Sequence, residues 1–286
     1  MDFHFFIASG LTLDAPSFNQ AYLGVSYLEW LTNSLLVSLI VVGFILFWAR
    51  KSTLRMELIP GRVQNLFEAI VEALYDMLEG IVGRHMISRV FSLLATLFLF
   101  ILVSNWFSLI PGVGSIGWGH ESDHGFEVAV PLLRPTTADL NTTLAMAAVF
   151  MVLWIYWTIR EAGVWGTLVH IFGPKGGLKG AMGFFFAFIF FFVGIIEVIS
   201  ILFRPVSLSL RLFGNVYAGE TLLTSMINLG HDLGLPNMVA YMMSVIVPLP
   251  FYFLELLVGV LQALVFTLLC AVYIQLSTAL NEGESH

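Results

Sequence analysis

From about residue 183 to 228 the chain carries no polar loop, only Pro205 and isolated glycines. As one α-helix that stretch is roughly 70 Å long at about 1.5 Å per residue. The hydrocarbon core of a bilayer is only about 30 Å thick. The segment therefore either breaks near Pro205 or lies far from the membrane normal, at roughly 65° if straight. Residues 238–280 repeat the problem, with Pro248 and Pro250 near the start, and NLGHDLGLPN joins the two. The pair predicts a helical hairpin laid along the side of something else in the bilayer.

Composition places the rest of the chain in the membrane as well. Of 286 residues, 58% are hydrophobic and 11% charged, and the mean hydropathy is +0.91. Too few charges remain to coat a water-soluble globule of this size. The net charge of −7 names no acidic or basic partner; the placement of the charges matters more. The single cysteine, Cys270, lies in an apolar run, which excludes an internal disulfide and a cysteine metal cluster and reads as a small buried hydrophobe. The start, MDFHFFIASGLTLDAP, lacks a basic leading region, which argues against a cleaved secretory signal.

Further spans are expected at 27–48, 90–110 and 140–159, the last with Asp139 placed to cap it. In 58–82 the apolar residues fall at 66, 67, 70, 71, 74, 77, 78 and 81, with Glu68, Glu72, Asp76 and Glu79 largely off that stripe. This is the pattern of a helix lying on the membrane surface or packed on other protein. The expected fold is an all-α membrane protein, one membrane domain over 1–286. It has about five membrane-embedded helices, one cytoplasmic amphipathic surface helix, and 183–228 with 238–280 as a long, steeply tilted hairpin. The Gly-rich stretch 112–138 reads as a polar loop, solvated or funnel-like, whose His120 and His124 show no metal-site spacing. Residues 172–183 read as a turn-rich connection.

Under this topology Arg50, Lys51, Arg55, Arg62, Arg84, Arg89, Arg160, Lys175 and Lys179 share one side, and only Arg134 lies on the other. That asymmetry puts 50–89 and 160–182 in the cytoplasm, and the N-terminus and 112–138 outside.

The membrane segments carry ionisable groups, which are expensive at bilayer depth and usually mark an ion path. Glu197, Arg204 and Arg211 are spaced seven apart and share a helix face with Ser200 and Ser207 nearby. Arg204 can snorkel to head groups. Arg211 is deeper, and either pairs with Glu220 or Glu255 or stands as a fixed charge. Glu220, nine positions on, falls on the opposite side of the same helix. Glu255 and Gln262 are again seven apart, with Tyr273 nearly in line. Asn215 and Gln262 are either interhelical glue or part of a path. Arginine stays charged at any working pH and cannot carry a proton, whereas carboxyls in a partly wet cavity can pass protons on. A fixed cation with carboxyls on another face has the parts of a split pathway.

RPVSLSLRLFGNVYAGE at 204–220, PTTADLNTTLAMA at 135–147 and LLVGVLQALVFTLLCAVYIQLS at 256–277 resemble the signature stretches of subunit a of the F-type ATP synthase. The likeness covers about 27–280. It implies a stator subunit with two offset proton half-channels against a rotating c-ring of proteolipid subunits. Arg211 takes the place of the separating arginine. Glu220, Glu255, Asn215 and Gln262 match the inlet, Glu197 and Ser207 the outlet, and Arg204 and Tyr273 are supporting residues. Relatives differ at one position, some having histidine where this chain has Glu255. The resemblance further implies contact with peripheral stalk subunit b at the surface helix, surrounding membrane lipid, the rest of the complex, and a bacterial inner membrane. No cofactor, metal or nucleic-acid partner is expected, and no GxxxxGK[ST] loop for nucleotide is present. The alternative is a self-contained proton or sodium secondary transporter, which predicts an internal repeat that the sequence does not display. An intramembrane hydrolase lacks GxSxG, and His170 and His231 lie near span ends.

Overall fold

The computed structural model describes residues 32–54, 56, 61–110, 113, 117–122, 125–131, 133–172 and 181–278. The expected start of the first span, Arg55, the connection holding Lys175 and Lys179, and the NEGESH end lie outside these residues. Among the described residues, five helical stretches are long and apolar enough to cross a membrane: Asn33–Thr53, Arg84–Ser108, Leu140–Glu161, Ile189–Asp232 and Asn237–Ser277. The chain is a multi-pass, all-α membrane protein.

Helix α1 (Asn33–Thr53) starts at Thr32, whose Oγ1 accepts from the Leu35 backbone N–H at 3.2 Å, and ends with Arg50 and Lys51 in its last turn. Helix α2 (Arg62–Val82) buries Leu74, Leu78 and Val82 and leaves Glu68, Glu72 and Asp76 in the open. The part of its apolar stripe from Ile70 to Val82 joins the core formed with α3 (Arg84–Ser108) and α7 (Pro248–Thr278), so that part meets protein of the same chain, while Leu66 stays exposed. Gly83 makes the corner between α2 and α3 with φ +83° and ψ 157°, a conformation that a side chain strains.

The stretch expected as a loop contains a two-stranded antiparallel hairpin, β1 (Gly117–Ser122) and β2 (Gly125–Pro131), with Ser122 opposite Gly125. Its second strand has the alternation of Phe126, Val128 and Val130. A buried 3-10 turn, Thr136–Ala138, leads into α4 (Leu140–Phe172). Asp139 caps α4 as expected, its Oδ1 accepting from the Asn141 backbone N–H at 3.0 Å, while Ser34 Oγ of α1 donates to Oδ2 at 2.6 Å. Helix α4 continues past the expected residue 159 and kinks at Gly163 (φ 72°, ψ 160°). Arg89 of α3 and Glu161 of α4 form an ion pair, which puts the start of α3 and this part of α4 on the same side of the bilayer.

Helix α5 (Ala181–Asp232) runs unbroken through Pro205 for 52 residues. Proline removes one backbone donor, yet membrane helices tolerate it where neighbours take up the freed groups. Of the two options the sequence left open, a break at Pro205 is ruled out. Gly234 (φ 67°) ends this part of the chain, with Leu235 N–H bonded to Gly230 O at 3.3 Å and Gly234 N–H to His231 O at 2.9 Å. That is a glycine-capped helix stop. Helix α6 (Asn237–Ile246) turns back along α5, and the expected 238–280 helix is divided at Val247, because Pro248 begins α7.

Gly230 lets α6 close on α5: a Cβ there would stand 2.8 Å from Ala240 Cα and 3.0 Å from its carbonyl oxygen. Gly230→Ala is expected to cost about 1–3 kcal/mol, as overpacking against backbone does. Gly43→Ala, with nothing within 4 Å of the added carbon, is expected to be neutral or mildly stabilising. Thermal denaturation of the two variants in detergent checks the contrast.

Candidate functional site

Helices α5 and α7 run antiparallel and meet along polar side chains. Asn215 Nδ2 donates to Gln262 Oε1 at 2.6 Å. One turn further along α5, the Glu255 carboxyl lies directly over Gly219, so close that a Cβ on Gly219 would overlap it. In the opposite direction, the Arg204 guanidinium lies over the Tyr273 ring at 4.6 Å and near the Trp154 ring at 5.4 Å. Trp154 Nε1 in turn donates to Tyr273 O at 2.9 Å, tying α4 to α7 at this level. The Glu255, Gln262 and Tyr273 stripe thus faces α5 along its whole length. Arg204 is held by two aromatic rings, an interaction of about 0.5–2 kcal/mol each, rather than extended towards head groups.

Helix α3 closes the seam from a third side. Asn105 Nδ2 donates to Gly259 O at 3.3 Å, and its Oδ1 accepts from Thr137 Oγ1 at 3.0 Å. Trp106 Nε1 donates to Leu256 O at 3.3 Å. Gly259 makes room for this: a Cβ there would stand 3.2 Å from Asn105 Cβ. Between the three helices is a cavity of about 10 Å³ lined by Asn105, Ser108, Asn215, Glu255 and Gln262, about the space of one water molecule. Asn105 and Ser108 had not been singled out in the sequence. Their signal was the SNWFS string, polar residues three apart near the end of an apolar span.

Glu220 is half-buried on α5, with Oε2 buried and accepting no hydrogen bond. Arg134, itself 2% exposed, sits in the buried turn that packs against α5. The sequence had marked Arg134 only as the lone cation on its side of the membrane. Packing makes it an interior residue.

Arg211 takes the other side. Its neighbours Leu208, Leu212 and Phe213 are buried, while Arg211 itself is exposed on the open face of α5 with Ser207 one turn away. Among the described residues Arg211 forms no ion pair, so neither Glu220 nor Glu255 is its partner. Glu197 is half-buried further along α5, and no hydrogen bond joins it to Ser207 or Arg204. Asn215, Glu255 and Gln262 are therefore gathered around one cavity that Glu220 does not line, Arg211 forms no ion pair with either carboxyl, and Glu197 and Ser207 do not form a cluster. Among the described residues no group of three or more metal-ligating side chains converges.

The model of the ATP synthase A chain family matches residues 31–275. An ATP synthase subunit a from Trichlorobacter lovleyi is 35% identical over 243 residues, covering 85% of this chain and 86% of that protein. One from Geotalea daltonii is 33% identical, covering 92% and 93%. One from Protochlamydia amoebophila is 31% identical, covering 89% and 83%.

The tight seat of Glu255 on Gly219 generates a stability test. Gly219→Ala is expected to push the Glu255 carboxyl, the flexible end of its side chain, aside at a cost of about 0.5–1.5 kcal/mol, that of forcing a side chain off its rotamer. In the Gly219→Ala/Glu255→Ala double variant the clash is gone, so its loss is expected to fall short of the sum of the two single losses. Thermal unfolding of the four proteins reads the difference.

Proposed function

Because the chain belongs to the ATP synthase A chain family, the subunit a of F-type ATP synthases, we propose that it forms two offset proton half-channels against a rotating c-ring, with Arg211 as the separator between them. As a subunit of that complex it serves proton transport and ATP synthesis in the membrane sector. The observation that carries the reading is the division of charge on α5. Arg211 faces out on an uncovered apolar surface without a carboxylate, while Glu220 on the opposite side of the helix is half-buried with Oε2 turned into the interior. Only 6% of the most apolar window of Ile189–Asp232 is buried, against 44% for Asn237–Ser277. A long span left that bare fits a helix whose partner is another subunit.

Protons enter from the outer side past Glu220, Glu255, Asn215 and Gln262 and neutralise a ring carboxylate, which then rotates into lipid. A carboxylate arriving from the other direction gives up its proton towards Glu197 and Ser207 before it passes Arg211. Opposite charges about 4 Å apart at an effective dielectric near 20 attract by about 4 kcal/mol, which favours the deprotonated partner. A potential of about 100 mV adds about 2.3 kcal/mol per charge to drive the turn. Arg204, held by Trp154 and Tyr273, supports the outlet side as a positioned second cation. The acidic outer face of α2 is the surface offered to peripheral stalk subunit b. The family resemblance favours a bacterial inner membrane, and the positive-residue asymmetry favours the N-terminus outside and the C-terminus in the cytoplasm. A self-contained transporter would enclose its charges between repeats; the uncovered Arg211 face counts against it.

Arg211→Ala is expected to abolish ATP-driven proton pumping in inverted membrane vesicles, with the complex still assembled. Pumping at normal coupling overturns the separator role. Glu220→Gln combined with Glu255→Gln is expected to slow both passive and driven proton flow by about tenfold or more, in the range of losing a general acid–base group. Unchanged flux moves the inlet elsewhere.

A further inference from the structure

The turn that carries the chain from the β-hairpin into α4 is buried throughout. Arg134, Thr136, Thr137, Ala138 and Asp139 are each 3% exposed or less. Arg134 Nη2 donates to Ala138 O at 3.2 Å, so the guanidinium is folded back into its own turn. The turn packs against α1, α3 and α5. Through Thr137 it also holds Asn105, which lines the small cavity with Glu255. Burying an arginine in a membrane protein is costly unless its charge is used.

We propose that Arg134 is a positioning residue of the outer half-channel, supplying the fixed counter-charge for Glu220. The inference rests on the inlet reading above and adds a residue to it. Glu220 leaves Oε2 buried and without a hydrogen bond, next in the chain to Gly219, over which Glu255 lies, and the turn that holds Arg134 packs on α5 and reaches the same level through Thr137 and Asn105. A relaying carboxyl must exist in both forms, and its deprotonated form is a bare charge in apolar surroundings unless a cation stands by. Arginine suits the task because it stays charged throughout the cycle. The other titratable groups on elements packed against this part of α5 are Glu255, which lies over Gly219, Tyr252 of α7 and Tyr241 of α6, the last stacked edge-on with His231. None of them is a permanent cation. Asp139 is occupied by Ser34 and the start of α4.

The test uses the intact complex in inverted membrane vesicles, reading ATP-driven and passive proton flux across a pH series. Arg134→Gln is expected to slow flux about tenfold with normal amounts of assembled complex, the size seen for directly coupled pairs. In a Glu220→Gln background the same change is expected to cost little more. Arg134→Lys is expected to retain flux near neutral pH and lose it as the pH on the outer side rises, because a buried lysine can shed its proton and a guanidinium cannot. This profile also decides the case where Arg134→Gln fails to assemble or Glu220→Gln leaves no flux to compare. Losses that multiply in the double variant, or an Arg134→Lys flux with the wild-type pH profile, overturn the proposal. Unchanged flux in Glu220→Gln alone overturns the inlet reading instead, and so separates the two failures.

Discussion

A charge placed on a membrane helix must either find a partner or face something outside the chain, and α5 does both. Leu208, Leu212, Phe213, Val216 and Leu223 form its buried edge. On the edge facing α7 the polar groups are matched one by one: Asn215 with Gln262, Arg204 with Tyr273 and Trp154. Interhelical hydrogen bonds in membranes are worth only about 0.6–1.7 kcal/mol each. Their effect is less to hold the helices together than to fix the register in which they meet. With the register set, Glu255 falls over Gly219, beside Glu220 in the chain, and Arg211 is left exposed.

The register is held from behind by groups that look unrelated to it in the chain. Asn105 bonds Gly259 and Thr137 together, and Trp106 adds Leu256, so α3 grips the outer part of α7 at two backbone carbonyls. Glycines at 219 and 259 set how close the three helices come. A small cavity results, in which Asn105, Ser108, Asn215, Glu255 and Gln262 meet Val216 and Val258. The same turn that supplies Thr137 supplies Arg134, so positioning of the seam and of the buried cation share one structural cause.

Much of this arrangement was legible in local spacing. The seven-residue interval from Glu255 to Gln262, and Tyr273 nearly in line beyond, marks one face of α7, and that face meets α5. The nine-residue interval from Arg211 to Glu220 puts the two on opposite sides, and burial agrees. The amphipathic stripe of α2 was equally plain, though its partner was not: helical period gives a face, and lipid or protein can cover it. What spacing could not deliver was contact across long separations. Asn105 and Gly259 are 154 residues apart, Asn105 and Thr137 are 32 apart, and no local pattern pairs them. Arg134 was counted as a loop cation because its burial depends on α1, α3 and α5 closing over one turn. Pro205 and Pro248 show the limit most clearly. Both are prolines in apolar helices, yet α5 continues through one and α7 begins at the other. A proline removes a donor and crowds the preceding turn in either case. Whether the helix breaks depends on what surrounds it.

The contrast in burial between the two long segments bears on how rotation could be coupled at all. The last segment is packed into the chain on several sides, by α2, α3, α4 and α5. The most apolar window of α5 is almost bare. A path built wholly inside the chain would need both helices buried. A path completed only when a moving partner arrives needs one helix anchored and the other presented. With α7 anchored, Glu255 and Gln262 keep their places beside α5. With α5 presented, Arg211 lies on the surface where the proposed ring partner would pass. On the half-channel reading proposed above, a proton completes its crossing only on that partner, and translocation waits on the partner's movement.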